Sequence, residues 1–249
     1  MIANQLIPLG DVPHGASPAL APGHRYLSLV GSLLWASLTR PDITVAISLA
    51  CSKSTCSTKA DLAAVMRILR YLLHTPHVKL TFRRPKDAIR RVSVYVDAAW
   101  SNAPQCKSRF GYIIYVFGCP IIWESKITTM VCLSTAEAEY VAAVHAAKTA
   151  LWLSRMSAQL CGTPFTTITM LEDNKACIQM INNPVVSARN RHFAMRMWWL
   201  REQVEHKFIH VQYVPTEQQL ADIMTKVLPL PRFTLLRDHI MKAIAFKRV

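Results

Sequence analysis

Acidic residues are scarce in this chain, which has 15 aspartates and glutamates against 29 lysines and arginines in 249 residues. The formal net charge of +14 predicts a polyanionic partner, because a basic surface that neutralises phosphates releases their counterions. The first 91 residues and the remainder are both basic, which favours one continuous binding surface over a basic tail. The few carboxylates that stand beside apolar segments therefore need a specific explanation.

Long apolar runs are also missing, and no run approaches the roughly 18 residues that a membrane-spanning helix needs. The most apolar segments, 43–50 and 141–153, are too short or are interrupted by polar residues. The N-terminus lacks the basic start and the apolar core of a signal peptide. We therefore expect an intracellular protein, in a cytoplasmic particle or in the nucleus, that is neither secreted nor bound in a membrane.

The seven cysteines follow no recognisable metal or disulfide pattern. None of them forms a CxxC pair, and none is spaced with a histidine as in a zinc finger. We interpret them as reduced and mostly buried thiols.

The first part of the chain is predicted to be a lead-in followed by a small helical segment. Residues 1–24 contain several prolines and glycines and show no periodicity, so they read as a linker or a disordered lead-in. Residues 25–91 form the helical segment, which ends in a basic cluster at 83–91 that we take as the domain boundary. Its predicted elements are helices at 25–38, 42–53 and 59–74 and a strand at 78–82.

From residue 92 the pattern changes to alternating strands and helices, and 92–228 is predicted to be one α/β domain with a mixed sheet. A last helix in 229–249 follows it. The predicted strands are 92–97, 110–117, 121–133 with a break near Ser125, 166–172 and 208–214. The predicted helices are 135–161, 174–181, 194–205, 217–227 and 231 to about 246.

Four acids stand beside apolar segments of this domain: Asp97, Glu139, Asp173 and Asp222. Three of them have a plain structural explanation by themselves: Asp97 suits a turn after a strand, Asp173 a helix N-cap, and Asp222 a solvated helix flank. Together they predict a cluster of hard oxygen ligands for two Mg²⁺ or Mn²⁺ ions. Such a pair of ions serves in-line displacement at a phosphodiester, so we hypothesise a nuclease site.

Glu139 has a neighbour, Glu137, that competes for the same role. The two residues are about 200° apart around the long helix, so they cannot both face one site. Glu139 shares its side of the helix with Ala143, Ala146 and Ala150, whose small side chains would let the helix approach the sheet closely. We therefore assign Glu139 to the site and Glu137 to capping the helix.

Candidate contacts with a nucleic-acid backbone come from basic side chains near the predicted strand ends and before the helix at 194–205. They are Lys107, Arg109, Lys126, Arg189, Arg191 and His192. His192 is equally suited to a capping or core role. The tryptophans are of a type that stacks on bases, but we favour a buried position for Trp123 and Trp152.

Several motifs in order carry a family resemblance. RYLSLVGSLLWASLTRPDI and MRILRYLLHTP are followed by VDAAW, KSRFGYIIYVFGCPIIWESK, LSTAEAEYVAA, LEDNKACI, ARNRHF and YVPTEQQLADIMTK. Over roughly residues 25–240, the chain resembles the C-terminal part of the Pol polyprotein of copia-type LTR retrotransposons. The resemblance implies a connection segment of a reverse transcriptase, then an RNase H-like domain with a mixed five-stranded sheet and helices on both faces.

The resemblance also implies an activity: metal-dependent cleavage of the RNA strand of an RNA–DNA hybrid. The family's four metal-binding carboxylates correspond to Asp97, Glu139, Asp173 and Asp222. Two family positions differ, since Ala99 and Ala194 stand where the family usually has aspartate. With no Y-x-D-D motif present, we expect a fragment without the polymerase palm, whose partners would be the hybrid and the missing polymerase part. The alternative is a non-catalytic remnant that only binds nucleic acid.

Overall fold

The computed structural model describes residues 18–20, 25–82, 92–162, 165, 167–183 and 191–242. Most of the predicted lead-in, the basic cluster at 83–91 and Arg189 lie outside these ranges. The chain divides into two compact units: residues 1–81 with 226–244, and residues 82–225 with 245–249. Among the described residues, no helix is long and apolar enough to cross a membrane.

The described helices and strands follow the predicted order closely. The helices are α1 (Tyr26–Ser37), α2 (Thr44–Ser52), α3 (Lys59–His74), α4 (Thr135–Cys161), α5 (Lys175–Asn182), α6 (Ala194–Glu205) and α7 (Leu230–Met241). The strands are β1 (Val92–Ala103), β2 (Lys107–Val116), β3 (Cys119–Ile127), β4 (Ile168–Glu172) and β5 (Ile209–Tyr213). The predicted bounds of α3, α4 and α6 are confirmed.

Two predicted elements are wrong. The helix predicted at 217–227 is replaced by two short 3-10 helices, Thr216–Gln218 and Leu220–Met224, because Gln219 between them has an extended backbone. The residues of the predicted strand at 78–82 are described, but they pair with no strand. The strand predicted to reach residue 133 ends at Ile127, and the Thr128 hydroxyl then donates to the Met130 carbonyl across a turn.

The first unit contains a buried ion pair between Arg40 and Asp42. Arg40 and Asp42 flank Pro41 at the start of a 3-10 helix, and the guanidinium donates two hydrogen bonds of 2.9 and 2.7 Å to the Asp42 carboxylate. The Tyr71 hydroxyl on α3 donates to the same carboxylate at 2.6 Å, and burial raises the pKa of this phenol to about 12. Arg40 also donates to the Thr75 carbonyl at the end of α3. This network ties α3 to the segment that begins α2.

Asp42→Ala is expected to destabilise the first unit by about 3–5 kcal/mol, because it leaves the buried Arg40 charge without its counter-ion and the Tyr71 hydroxyl without its acceptor. Asp61→Ala is the matched control, since Asp61 belongs to a capping box at the half-exposed start of α3 and should cost only about 1 kcal/mol. Urea denaturation of the full chain measures both changes. Equal losses for the two variants would contradict this account of the network.

The second unit contains one mixed five-stranded sheet in the order β3-β2-β1-β4-β5. β1, β2 and β3 are antiparallel neighbours, while β4 and β5 run parallel to β1. On one face, α4 buries six alanines completely against the core, and these small side chains let the helix approach β1 and β2. The predicted mixed sheet with helices is confirmed.

The opposite face of the sheet holds the 3-10 helix Leu220–Met224. Phe110 and Tyr112 of β2 join the core beneath α4, so Gly111 between them points to the other face, as strand alternation requires. A Cβ atom at Gly111 would lie only 2.4 Å from the Cβ of Met224. The short helix therefore rests directly on the β2 backbone, and only a glycine allows this approach.

The six cysteines whose side chains are described are free thiols. Cys119, Cys132 and Cys177 are buried, whereas Cys56 and Cys106 are exposed. The expectation of mostly buried thiols therefore holds for only half of these six.

Candidate metal centre

The site begins where β1 and β4 stop pairing. Their parallel pairing ends at Tyr95 opposite Leu171, although β1 continues to Ala103 along its β2 side. Asp97 lies two residues beyond this point, opposite Gly111, so it is inside β1 and not at its end as predicted. Asp173 directly follows the last residue of β4. The strands diverge here, and ligands of open α/β sheets bind at such crevices beyond the carboxyl ends of parallel strands.

The start of α4 delivers the third acid. Ser134 caps this helix by accepting a hydrogen bond from the Glu137 N–H at 3.2 Å. Glu137 in turn accepts from the Leu133 N–H at 2.8 Å, so it bonds the helix start as predicted, but through the residue before the N-cap and not through Ser134 itself. Glu139, two residues further on, is buried with 6% of its surface exposed. The positive end of the helix dipole favours a carboxylate there.

Asp97, Glu139 and Asp173 form a cluster that we call the acidic triad. One ligand oxygen from each lies within 4.8 Å of the other two, and Asp97 is only 1% exposed. Because Mg²⁺–oxygen distances are about 2.1 Å, two oxygens on one ion are at most about 4.2 Å apart. The triad thus needs only a small adjustment to share an ion. Its all-oxygen donor set fits Mg²⁺ or Mn²⁺ and not a soft metal.

Asp173 is available to the triad because another residue caps the next helix. Asn174 is the N-cap of α5 and accepts a hydrogen bond from the Cys177 N–H at 3.1 Å. The prediction that Asp173 caps this helix is therefore wrong. Asp173 stays half-buried beside the other two acids, which was its alternative role.

Asp222 is not part of the triad, but the segment that carries it is hydrogen-bonded to Asp97 through the Thr225 hydroxyl. Asp222 is buried at 4% exposure in the short 3-10 helix, so the solvated flank considered for it is ruled out. Thr225, just after this helix, donates its hydroxyl to Oδ2 of Asp97. The Thr225 hydroxyl oxygen also lies 3.3 Å from the backbone carbonyl oxygen of Asp222. The segment that carries Asp222 is thus attached to one oxygen of the Asp97 carboxylate.

Glu172 is a buried acid that the sequence interpretation missed. It is fully buried at the end of β4, and its Oε1 accepts a hydrogen bond from the Asn174 N–H at 3.0 Å. Burial raises the pKa of this carboxyl well above its usual range, and the charges of Asp173 and Asp97 add to the shift. Its alternation with Ile168 and Met170 along β4 was the signal that could have located it on the core face.

The predicted phosphate contacts divide by exposure. Arg109 is 2% exposed, donates to the Ser125 hydroxyl at 3.2 Å, and has its pKa lowered by burial. Its guanidinium is buried on a central strand between β1 and β3, so its assignment to phosphate stays a prediction that this burial does not support. Lys126 is exposed and pairs with Glu124 at 2.7 Å, Arg191 is exposed, and Lys107 is half-buried.

His192 joins the starts of α4 and α6. Its Nε2 lies 2.7 Å from Oε1 of Glu137, and its ring packs edge-on against Phe193. This contact gives it the structural role that the sequence left open beside nucleic-acid binding. Among the tryptophans, Trp152 is 54% exposed, so its predicted core position is wrong, and Trp123 is half-buried.

Comparison with known proteins identifies the relatives of this chain. It is 34% identical over 215 residues to the retrovirus-related Pol polyprotein from transposon TNT 1-94 of Nicotiana tabacum. It is 33% identical over 210 residues to that from transposon RE1 of Arabidopsis thaliana, and 31% identical over 183 residues to the Ty1-ER2 Gag-Pol polyprotein of Saccharomyces cerevisiae. The chain is a homologue of copia-type retrotransposon Pol polyproteins.

These alignments cover 86%, 84% and 72% of the chain but only 16%, 14% and 10% of the respective polyproteins. The chain thus spans about a sixth or less of the length of these relatives, and what the longer Pol polyproteins do comes to it only as a proposal. No protein-family model matches the chain.

Similar folds occur among solved structures at low scores. The N-terminal RNase H domain of rv2228c from Mycobacterium tuberculosis superposes with a TM-score of 0.41 at 14% identity, over 62% of this chain and 99% of that one. A foamy viral protease–reverse transcriptase in complex with RNA/DNA hybrid gives 0.42 at 15% identity, over 77% of this chain and 24% of that one. The assignment to Pol therefore rests on the sequence relatives.

Proposed function

We propose that this copia-type Pol homologue acts as a metal-dependent ribonuclease H that cleaves the RNA strand of RNA–DNA hybrids. The observation that carries the proposal is the acidic triad, in which three elements bring carboxylates together within 4.8 Å in a chain of net charge +14. Ionised carboxylates this close repel one another, and a divalent cation removes the repulsion. Ala99 and Ala194, which depart from the family pattern, both lie outside the triad.

The proposed ligands are Asp97, Glu139 and Asp173, with Asp222 as the fourth. Bound Mg²⁺ or Mn²⁺ would supply charge neutralisation at the scissile phosphate and lower the pKa of an attacking water. The chain's own groups hold this arrangement in place. The Thr225 hydroxyl fixes one Asp97 oxygen, and the α4 cap fixes the first turn from which Glu139 follows.

Binding of the hybrid is assigned to exposed basic side chains, namely Lys126 and Arg191 with the half-buried Lys107. Arg189 remains a candidate outside the described residues. Such contacts reach backbone phosphates and carry little sequence information. A hybrid is read through its shape and the 2′-hydroxyls of its RNA strand, so we expect weak base preference.

The test is cleavage of a 5′-labelled RNA strand in an RNA–DNA hybrid by the full chain with Mg²⁺, Mn²⁺ or EDTA. We expect cleavage with either metal, none with EDTA, and none of duplex DNA of the same sequence, which lacks the 2′-hydroxyl. A folded chain that binds the hybrid with affinity that falls as salt rises, but never cuts it, would refute the enzyme and favour the non-catalytic remnant.

A further inference from the structure

The side chain of Gln219 fills the place where the pairing between β1 and β4 stops. It is fully buried, and its Nε2 donates a 2.9 Å hydrogen bond to the Val96 carbonyl on β1. The same nitrogen lies 3.5 Å from the Leu171 carbonyl on β4. Val96 directly precedes Asp97 on β1, and Leu171 lies two residues before Asp173, which follows the end of β4.

The other end of the same amide holds the fourth acid. Oε1 of Gln219 accepts a 3.2 Å hydrogen bond from the Ala221 N–H in the short 3-10 helix, and Asp222 is the next residue. One side chain therefore contacts the backbones of three segments that carry Asp97, Asp173 and Asp222. Contacts with two carbonyls and one N–H need donors and an acceptor on the same planar group. Among side chains of this length, only glutamine provides both.

We infer that Gln219 is the positioning residue of the metal centre. It sets the spacing of the Asp222 segment from β1, which carries Asp97, and from β4, which ends directly before Asp173. It contacts backbone groups of all three segments, so it acts through them and is not itself a ligand. The inference rests on the proposed function, because it assigns Gln219 a task in holding that metal site.

The physical reason lies in the buried backbone groups. β1 and β4 do not pair with each other beyond Tyr95 and Leu171, so the Gln219 amide takes the place of the next rung between them. A buried carbonyl without a donor costs free energy, and the strands would shift to find one. Carboxylates that share an ion tolerate little displacement, so a shift of this kind weakens metal binding before it unfolds the domain.

The experiment replaces Gln219 with methionine, which keeps the length and removes the hydrogen bonds. We expect the Mg²⁺ concentration for half-maximal hybrid cleavage to rise by about 10–100-fold, the usual range for residues that orient metal ligands. Gln203→Met is the matched control. Gln203 also donates to a backbone carbonyl, that of Trp199, but within α6 and away from the acids, so the variant should stay within about twofold of wild type.

A double-mutant cycle with Asp222→Asn separates positioning from general stability. If Gln219 acts by placing Asp222, Gln219→Met should cost at least about fivefold less in metal affinity when Asp222→Asn is already present. Full additivity, or a fall in melting temperature with unchanged metal dependence, would overturn the inference. Gln219→Glu is the second variant if the methionine form fails to fold, since it keeps the acceptor for Ala221 while it replaces the donor with an oxygen and adds a negative charge.

Calorimetry with Mn²⁺ alone distinguishes the two possible failures. If wild type binds Mn²⁺ but does not cut the hybrid, the proposed function fails, and the inference is judged on whether Gln219→Met weakens Mn²⁺ binding at least tenfold. If wild type binds no Mn²⁺, both are refuted. If wild type cuts and Gln219→Met matches it in metal dependence, only the inference is refuted.

Discussion

Glu139→Gln is expected to lower metal-dependent cleavage of an RNA–DNA hybrid by about 10³-fold, equivalent to about 4 kcal/mol of lost transition-state stabilisation. The substitution keeps the volume of the side chain and removes one of the three charges of the acidic triad. An amide oxygen is a weaker ligand for a hard cation than a carboxylate, so Mn²⁺ binding by calorimetry should fall together with cleavage. The free energy of unfolding should change little, because in the absence of metal the three carboxylates of the triad repel one another.

Glu137→Gln is the matched control for this prediction. It makes the same chemical change two residues earlier on α4, at the side chain that accepts from Leu133 and meets His192. We expect cleavage within about threefold of wild type and a stability loss of about 1 kcal/mol. Equal loss of cleavage in the two variants would show that Glu139 acts only through the fold of α4, and its assignment as a ligand would be wrong.

Gly111→Ala is expected to destabilise the second unit by about 1–3 kcal/mol and to weaken metal binding at the same time. The new methyl group would lie 2.4 Å from the Met224 Cβ and 2.9 Å from the Met224 carbonyl oxygen. Neither strand β2 nor the backbone of the short 3-10 helix can give way cheaply. The helix must lift, and Asp222 and Thr225 would move with it. Urea denaturation and Mn²⁺ calorimetry on the same samples measure both effects.

Gly31→Ala provides a control of opposite sign. Gly31 lies inside α1 in the first unit, where an added Cβ atom meets nothing within 4 Å. Alanine should therefore stabilise the chain by about 0.5–1 kcal/mol, because it reduces the entropy lost when the helix forms. A neutral Gly111→Ala would contradict the close packing of the 3-10 helix on β2.

The order of elements could be predicted because it depends on local patterns. Alternation of apolar residues located the strands, and helical spacing with the Ser134 cap located α4 from Thr135 to Cys161. The prediction of a helix at 217–227 failed. The apolar spacing there was helical, but the Gln219 side chain donates hydrogen bonds to backbone carbonyls on β1 and β4. Those partners are more than 40 residues away in the sequence, so no local pattern could indicate them.

The candidate acids of the site could likewise be named from the sequence, whereas their geometry could not. Scarce acids beside apolar segments, together with the ordered motifs, pointed to Asp97, Glu139, Asp173 and Asp222. Charge alone could not tell an exposed cation from a buried one, and Arg109 was assigned to phosphate although it lies inside the sheet. Whether a side chain on β2 is exposed depends on its neighbours in the folded sheet, where β2 lies between β1 and β3.

By itself, the sequence indicated the homology to copia-type Pol polyproteins, the mixed α/β architecture and the four candidate acids, because these follow from motif order, periodicity and residue type. Only the tertiary structure decided that three acids meet within 4.8 Å, that Asn174 caps α5 in place of Asp173, and that Glu172 is buried beside them. It also decided that Asp222 is buried on a 3-10 helix resting on Gly111. Each of these depends on a contact between distant segments, where burial and hydrogen bonding outweigh local preference.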